Sequence, residues 1–432
     1  MKKLLIISPH FPPVNGADMH RVRQSLPYYR AFGWEATIVT VDPRFVEGSQ
    51  DAILERSLPE GTRIIRVKAL DQRRTRLLGL GSLALRSLWF YRQAVNRLLH
   101  REHFDLIFFS TTQFPLLILG NYWKQRFGIP YVIDMQDPWY SDYYDKHPWV
   151  KKPPKYWFAA RLNKYLEPVA MRRVSGIIAV SESYHKILCE RYPVIPAQNC
   201  HTIPFGAAEV DYRIALESGV QQPIFIPSPG RVNIVYAGIA NSSMRQALQI
   251  LMESIKSGLS RWPEVFSAVR LHFVGTTYAP DGTVESAVIP PARAVGVSDY
   301  IQEHPSRLPY FQTLRLLMDA DILLMIGTDD PNYTASKLYP YILAKKPLLA
   351  IFHEKSSVVQ AIEEMNAGHC IPFGAPGNET ELAEQTAGVL HNWITKLPFE
   401  PAIRRDLLEQ HLAAAKTLDQ VRVFNRIVGA AT

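Results

Sequence analysis

Cysteine is scarce in this chain of 432 residues: Cys189, Cys200 and Cys370 are an odd number, and none is spaced as a CxxC pair. That pattern argues against a disulfide frame and against a zinc site, and fits a reducing compartment, so the cytoplasm is the expected home. Long apolar runs are missing too. No uninterrupted stretch approaches the roughly 20 residues that cross a bilayer. Residues 4–7 follow two lysines but are too few for a signal-peptide core and end at Ser8-Pro9-His10, so they read as a first strand. Low-complexity tracts are absent and aromatic residues make up 11%, which excludes extended disorder. Neither a GxGxxG fingerprint nor an Asp-x-Asp clamp occurs where nucleotide chemistry would put it.

The chain does hold 47% hydrophobic residues, enough for two cores. Its formal charge of +8 favours anionic partners without choosing among phosphates, nucleic acid and anionic lipid. No interleaving of basic and aromatic residues on one sheet face supports nucleic acid, so none is expected.

Short apolar runs alternate with helix-like stretches at 3–8, 36–41, 63–67, 105–110, 131–134 and 176–180, the mark of βαβ units and a parallel sheet. The series restarts at 232–237 and continues at 269–274, 322–326, 348–352 and 370–373. This predicts an α/β protein of two Rossmann-like, doubly wound domains. The expected boundaries are 1–220, a Pro-rich linker at 221–230, a second domain at 231–405, and a C-terminal helix at 406–432 returning to the first. Ligands of open α/β sheets bind outside the carboxyl ends of strands, so two such domains are expected to face across a cleft that holds the active site.

Four segments carry the chemistry. The loop Pro9-His10-Phe11-Pro12-Pro13-Val14-Asn15-Gly16-Ala17-Asp18 lies between a strand and a helix that holds Arg21. Gly16 would let backbone approach a ligand there, and the helix start offers free N–H groups; an ordinary connecting loop is the plain alternative. Asp134-Met135-Gln136-Asp137-Pro138-Trp139 sets two carboxylates three residues apart at a strand exit, fit to bind sugar hydroxyls or take a proton, although Asp137 before Pro138 also suits a turn. In the second half, Gly238 ends a strand and Arg245 opens the next helix, either as a phosphate-binding cation or as a solvated residue. The run from Ser336-Lys337-Leu338 to Ile351 follows a loop rich in Asp, Pro and Asn, and a lysine at such a junction is placed to meet an anion.

Together these segments resemble the GT-B glycosyltransferases of family 4. The resemblance implies metal-independent transfer with retention, no cofactor beyond a nucleotide-sugar donor, and a glycan or lipid-linked acceptor in polysaccharide or glycoconjugate synthesis. Carried over by position, it makes Asp137 the catalytic carboxylate. It makes Lys337, Arg245, Gly16, Gly238 and Asn332 the donor- and phosphate-binding set, and His10, Arg21, Asp134 and Trp139 the acceptor- or sugar-facing set. Where the family carries two glutamates this chain has Asn332 and Pro340, and Ile239 stands where an arginine is usual. Those departures motivate a second reading, a glycosyltransferase-like binding protein without turnover; a sugar-nucleotide epimerase ranks last.

Two basic and aromatic stretches suit a peripheral contact with an anionic inner membrane face. The helix-like segment 77–100 turns Leu80, Ala84, Leu88, Tyr91, Val95 and Leu98 to one side and Arg86, Gln93 and Arg97 to the other. The second stretch is 149–158, with two tryptophans and three lysines. For the first, a helix packed on the sheet with a solvated basic side is the favoured reading.

Overall fold

The computed structural model describes residues 1–75, 81–140, 156–277, 286–330, 337–375 and 377–429. They divide into two compact units, Met1–Gly206 with Ala413–Thr432, and Ala207–Leu412.

The first unit holds a seven-stranded sheet: β1 Lys2–Ile7, β2 Trp34–Val41, β3 Arg63–Val67, β4 Leu106–Ser110, β5 Tyr131–Met135, β6 Gly176–Ala179 and β7 Cys200–Thr202. Their order is β3-β2-β1-β4-β5-β6-β7 and every pairing is parallel. Helices α1 His20–Tyr29, α2 Leu83–Arg101, α3 Ile118–Phe127, α4 Tyr156–Met171 and α5 Glu182–Arg191 are its principal crossovers. Leu4 to Ile7 and Leu106 to Phe109 are wholly buried, because crossover helices cover both faces and leave no side for polar residues.

The second unit repeats the scheme with six parallel strands, β8 Val232–Ala237, β9 Val269–Val274, β10 Ile301–His304, β11 Ile322–Ile326, β12 Leu348–His353 and β13 His369–Phe373, ordered β10-β9-β8-β11-β12-β13. Helices α6 Arg245–Arg261, α7 Leu338–Leu343 and α8 Glu379–Ile394 flank it. Eleven of the strands match the apolar runs read from the sequence to within two residues at either end. Two of the four edge strands, β7 and β10, were not expected, being three and four residues long and polar.

The division between the units falls at Gly206/Ala207 and Leu412/Ala413, whereas the sequence pointed to a linker at 221–230 and a helix beginning at 406. The Pro-rich segment lies inside the second unit. There Gln222 Oε1 accepts from the backbone N–H of Ile224 (2.7 Å) and Phe225 (3.2 Å), and Phe225 stacks on His272 of β9 at 4.8 Å. A cavity of about 620 Å³ beneath it is lined by Gln222, Phe225, Arg231 and His272 among others. Its lining includes Arg231, Asn233, Arg270 and Gln302, near the amino ends of β8, β9 and β10 and away from the carboxyl ends where open α/β sheets bind ligands.

The C-terminal helix Ala413–Gly429 belongs to the first unit. Its Phe424 is fully buried, with ring centroids 5.1 Å from Phe108, 5.8 Å from Trp34 and 6.3 Å from Tyr29. Gln420 accepts from the Tyr29 hydroxyl at 2.9 Å and donates to Ser25 at 3.0 Å. Helix α2 packs much as its spacing suggests, with Ala84, Tyr91, Val95 and Leu98 buried, but Arg86 is a correction. It was expected on the solvated side, yet it is 3% exposed and donates to the carbonyls of Leu70 and Phe45, because the chain before α2 folds over it. Trp89 is 57% exposed. The stretch 149–155 lies outside the described residues, and Trp157 just beyond it is 71% exposed. Among the described residues no helix is long and apolar enough to cross a membrane.

Replacing Phe424 by Ala should cost about 3–5 kcal/mol of stability, the usual loss for truncating a buried aromatic ring. Urea unfolding followed by tryptophan fluorescence measures this through Trp34, which the ring contacts. A loss near zero would show that the C-terminal helix does not hold the first unit together.

Candidate active site

In each sheet the strand order reverses at one point, between β1 and β4 in the first unit and between β8 and β11 in the second. Adjacent loops leave such a point in opposite directions and open a crevice at the carboxyl ends of the strands. The polar side chains of each unit converge there.

In the first unit, the loop after β1 delivers His10, and the turn Ala17–Met19 before α1 delivers Asp18. His10 Nδ1 lies 2.7 Å from Asp18 Oδ1. The other carboxylate oxygen accepts from Thr111 Oγ1 (2.9 Å), Thr112 N (3.1 Å) and Thr112 Oγ1 (3.3 Å), just beyond β4. Burial alone would raise the pKa of Asp18, but the hydrogen bond and charge of His10 and the threonine donors outweigh it. The net shift is downward, so Asp18 is a fixed carboxylate. Gly16 has an ordinary extended backbone, but a Cβ there would sit 2.8 Å from the His10 Cβ and 3.1 Å from Asp18 Oδ1. Its lack of a side chain makes room for this pair.

Asp137 is exposed, and partial burial together with the charge of Asp18 raises its pKa above the ordinary carboxylate value. Tyr184 on α5 titrates high as well, through burial and the charge of Asp137. His10, Asp18, Asp137 and Tyr184 therefore act on one another electrostatically, and His10 and Asp137 keep accessible surface.

Arg21, Asp134 and Trp139 stand differently from the sugar-facing positions expected of them. Arg21 Nε donates to Asp134 Oδ2 at 2.8 Å and its Nη2 to the carbonyl of Ile203 at 2.7 Å; the two side chains are 2% and 0% exposed. The same Asp134 oxygen accepts from Ser110 and Gln136, both at 2.8 Å. Trp139 stacks on Phe114 at 5.6 Å and donates to Asn163 at 3.0 Å. These polar groups are committed to one another, since a charge buried in a sheet must be matched.

In the second unit, Lys337 precedes α7 and reaches back to the end of β8. Although part of the residue is exposed, its ammonium turns inward, donates to the carbonyl of Ala237 at 3.1 Å and lies 5.9 Å over the Tyr236 ring. Burial, and then the positive charge of Arg307, bring its pKa down to about 8. A Cβ on Gly238 would fall 1.8 Å from Lys337 Nζ, so the glycine makes room for the ammonium. Tyr341 braces the same strand end, accepting from Ala237 N at 2.7 Å. The loop after β8 is joined to the loop after β11 through Asp329 N donating to the Ser243 carbonyl at 2.7 Å.

The structure thus brings Lys337 and Gly238 together. Arg245 opens α6 in an exposed position, and the cation that acts on Lys337 is Arg307 rather than Arg245. Asn332 lies outside the described residues. Pro340, inside α7, accepts through its carbonyl from the Tyr212 hydroxyl. The sequence reading held Asp18 in its first loop without giving it a role, and missed Thr111, Thr112 and Arg307. Arg307 carried a faint signal as a cation shortly beyond a strand, but that strand, β10, was itself unrecognised.

Arg21→Met should destabilise the first unit by about 3–5 kcal/mol, because it strands the Asp134 carboxylate. Urea unfolding measures this, and Arg21→Met/Asp134→Asn should recover part of the loss. A cost below about 1 kcal/mol would contradict a structural ion pair.

The sequence profile of Glycosyltransferase Family 4 matches residues 20–208. At the sequence level no curated protein matches the chain. Several solved structures share its fold over nearly the whole length. Anabaena HepE, solved with UDP-glucose, is 14% identical, with 100% of this chain and 99% of that one covered and a TM-score of 0.52. A mutant of TarM from S. aureus, solved with fondaparinux, alpha-GlcNAc-glycerol and UDP, is 10% identical, with 98% and 100% covered and a TM-score of 0.56. The trehalose 6-phosphate synthase of Burkholderia multivorans is 11% identical, with 100% and 98% covered and a TM-score of 0.56. Residues 20–208 are thus similar to Glycosyltransferase Family 4, and the two parallel Rossmann-like sheets with these structural neighbours show that the chain has the GT-B fold.

Proposed function

We propose that this glycosyltransferase moves a sugar from a nucleotide-activated donor to a hydroxyl of a glycan or lipid-linked acceptor, with retention at the anomeric carbon and without a metal ion. The observation that carries the reading is the Lys337 ammonium at the reversal point of the second sheet. It is partly desolvated, held by a carbonyl, and among the described residues no carboxylate is one of the charges that shift it. As the glycosyl bond breaks, negative charge grows on the departing nucleoside diphosphate, and a fixed cation of this kind stabilises it. Arg307 adds positive charge beside it, and Arg245 is exposed at a helix start for the same work. The UDP-glucose complex of HepE and the UDP complex of TarM support a nucleotide-sugar donor, and the oligosaccharide with TarM supports a glycan acceptor.

Asp137 and His10 are the groups on the first unit that would meet the transferred sugar and the acceptor. Asp137 has a raised pKa and an open face, and His10 is oriented through Nδ1 by Asp18. Exposed Trp89 and Trp157 are the anchors for contact with the membrane that would carry a lipid-linked acceptor.

A binding protein without turnover is the second reading, and Pro340 favours it: at the position where the family places a ribose-holding glutamate, this side chain makes no polar contact. Release of free nucleotide from nucleotide sugars, abolished in Asp137→Ala, would exclude it.

The phosphate role of Lys337 has a pH signature. Bound diphosphate favours the ammonium form, so the affinity for a nucleoside diphosphate should fall as pH rises through about 8, the pKa of Lys337 in the free protein. Calorimetric titrations from neutral to alkaline pH should show that fall in the wild type. Lys337→Met should bind about 10–100-fold more weakly at neutral pH, with a flat profile. Equal affinity in the two proteins would remove Lys337 from the donor site.

A further inference from the structure

The side chains of His185, Cys189 and Cys200 meet on the first unit, in a place the transfer chemistry does not use. His185 and Cys189 are one helical turn apart on α5 and so share a face, and Cys200 opens the edge strand β7. One ligand atom from each lies within 4.8 Å of the others, and all three residues are half-buried. The two sulfurs are 3.0 Å apart. Thr202, also on β7, has its hydroxyl 3.0 Å from His185 Nε2 and orients the ring.

We propose that His185, Cys189 and Cys200 form a binding site for a soft divalent transition metal of the zinc class. Two thiolates and an imidazole are the donor set such ions select, and three protein ligands leave a fourth position for water. A tetrahedral ion with Zn–S distances of about 2.3 Å holds its sulfurs about 3.8 Å apart. The two sulfurs here must therefore separate slightly, which side-chain rotation supplies. Each cysteine binds as a thiolate and gives its proton to water, so uptake of one ion releases up to two protons. A disulfide would use the two sulfurs and leave the imidazole without a role. The bound ion ties α5 to β7, an edge strand that among the described residues pairs with β6 alone. It takes no part in glycosyl transfer.

The test uses the full-length reduced, metal-free protein and cobalt(II) as a spectroscopic stand-in. One equivalent should produce a thiolate-to-cobalt charge-transfer band and the visible bands of tetrahedral cobalt, and one equivalent of zinc should bleach them. Cys189→Ser and Cys200→Ser should lose the charge-transfer intensity, and His185→Asn should bind cobalt at least about tenfold more weakly. Absence of the bands in the wild type, or their survival in Cys200→Ser, overturns the proposal. If the serine variants lose their far-ultraviolet circular dichroism, alkylation of the wild type decides. Zinc should protect Cys189 and Cys200 from iodoacetamide, and equal modification with and without zinc overturns the site. An intact mass lower by two hydrogens after removal of reductant, with no cobalt bands on the reduced chain, identifies a disulfide pair instead and also overturns it.

Discussion

Crossover helices cover both faces of a parallel sheet, so a ligand can approach the strands of this protein only at their ends. The carboxyl ends are the productive ones, because there the helix starts and strand-exit loops present unpaired N–H groups. Where the order reverses, between β1 and β4 and between β8 and β11, neighbouring loops part. Every assignment made for the site descends from that constraint: His10, Asp18 and Thr111 gather at one reversal point, and Lys337, Gly238 and the Ser243–Asp329 contact at the other.

The two reversal points are charged in different ways. In the first unit the buried charges are matched within the protein: Arg21 holds Asp134, and Asp18 is held by His10 and two threonines. Such pairs fix the shape of the loops around the accessible Asp137. In the second unit the Lys337 ammonium is met by a carbonyl and opposed by Arg307, with no carboxylate among the described residues to offset its desolvation. The cost of this arrangement falls when an anion arrives, which is the property expected of a phosphate site.

The strands of both sheets were legible because a strand buried on both faces must be a continuous apolar run, and eleven such runs stand in the sequence. Two of the four edge strands, β7 and β10, escaped because an edge needs burial on fewer sides and these two are short and polar. Arg86 shows the limit of helical periodicity: its angle on α2 suggests solvent, but the chain returning over it supplies carbonyls that a guanidinium can satisfy. The Pro-rich segment shows a similar limit. Prolines hold a backbone extended whether or not it packs, and here Gln222 and Phe225 fasten it to the second unit.

By itself the sequence determined the two parallel sheets, the strand exits at Gly238 and Asp134, and the lysine behind an Asp-, Pro- and Asn-rich loop. All of these follow from local patterns of burial and backbone freedom. Tertiary structure alone decided which groups meet. Arg21 and Asp134 are 113 residues apart, Lys337 and Ala237 are 100 apart, and His185 joins two cysteines whose spacing suggested neither a metal nor a disulfide. The physical reason is that contacts between strand-end loops depend on which strands lie side by side. Strand order is set by the packing of the whole sheet and leaves no mark in the spacing of the residues it brings together.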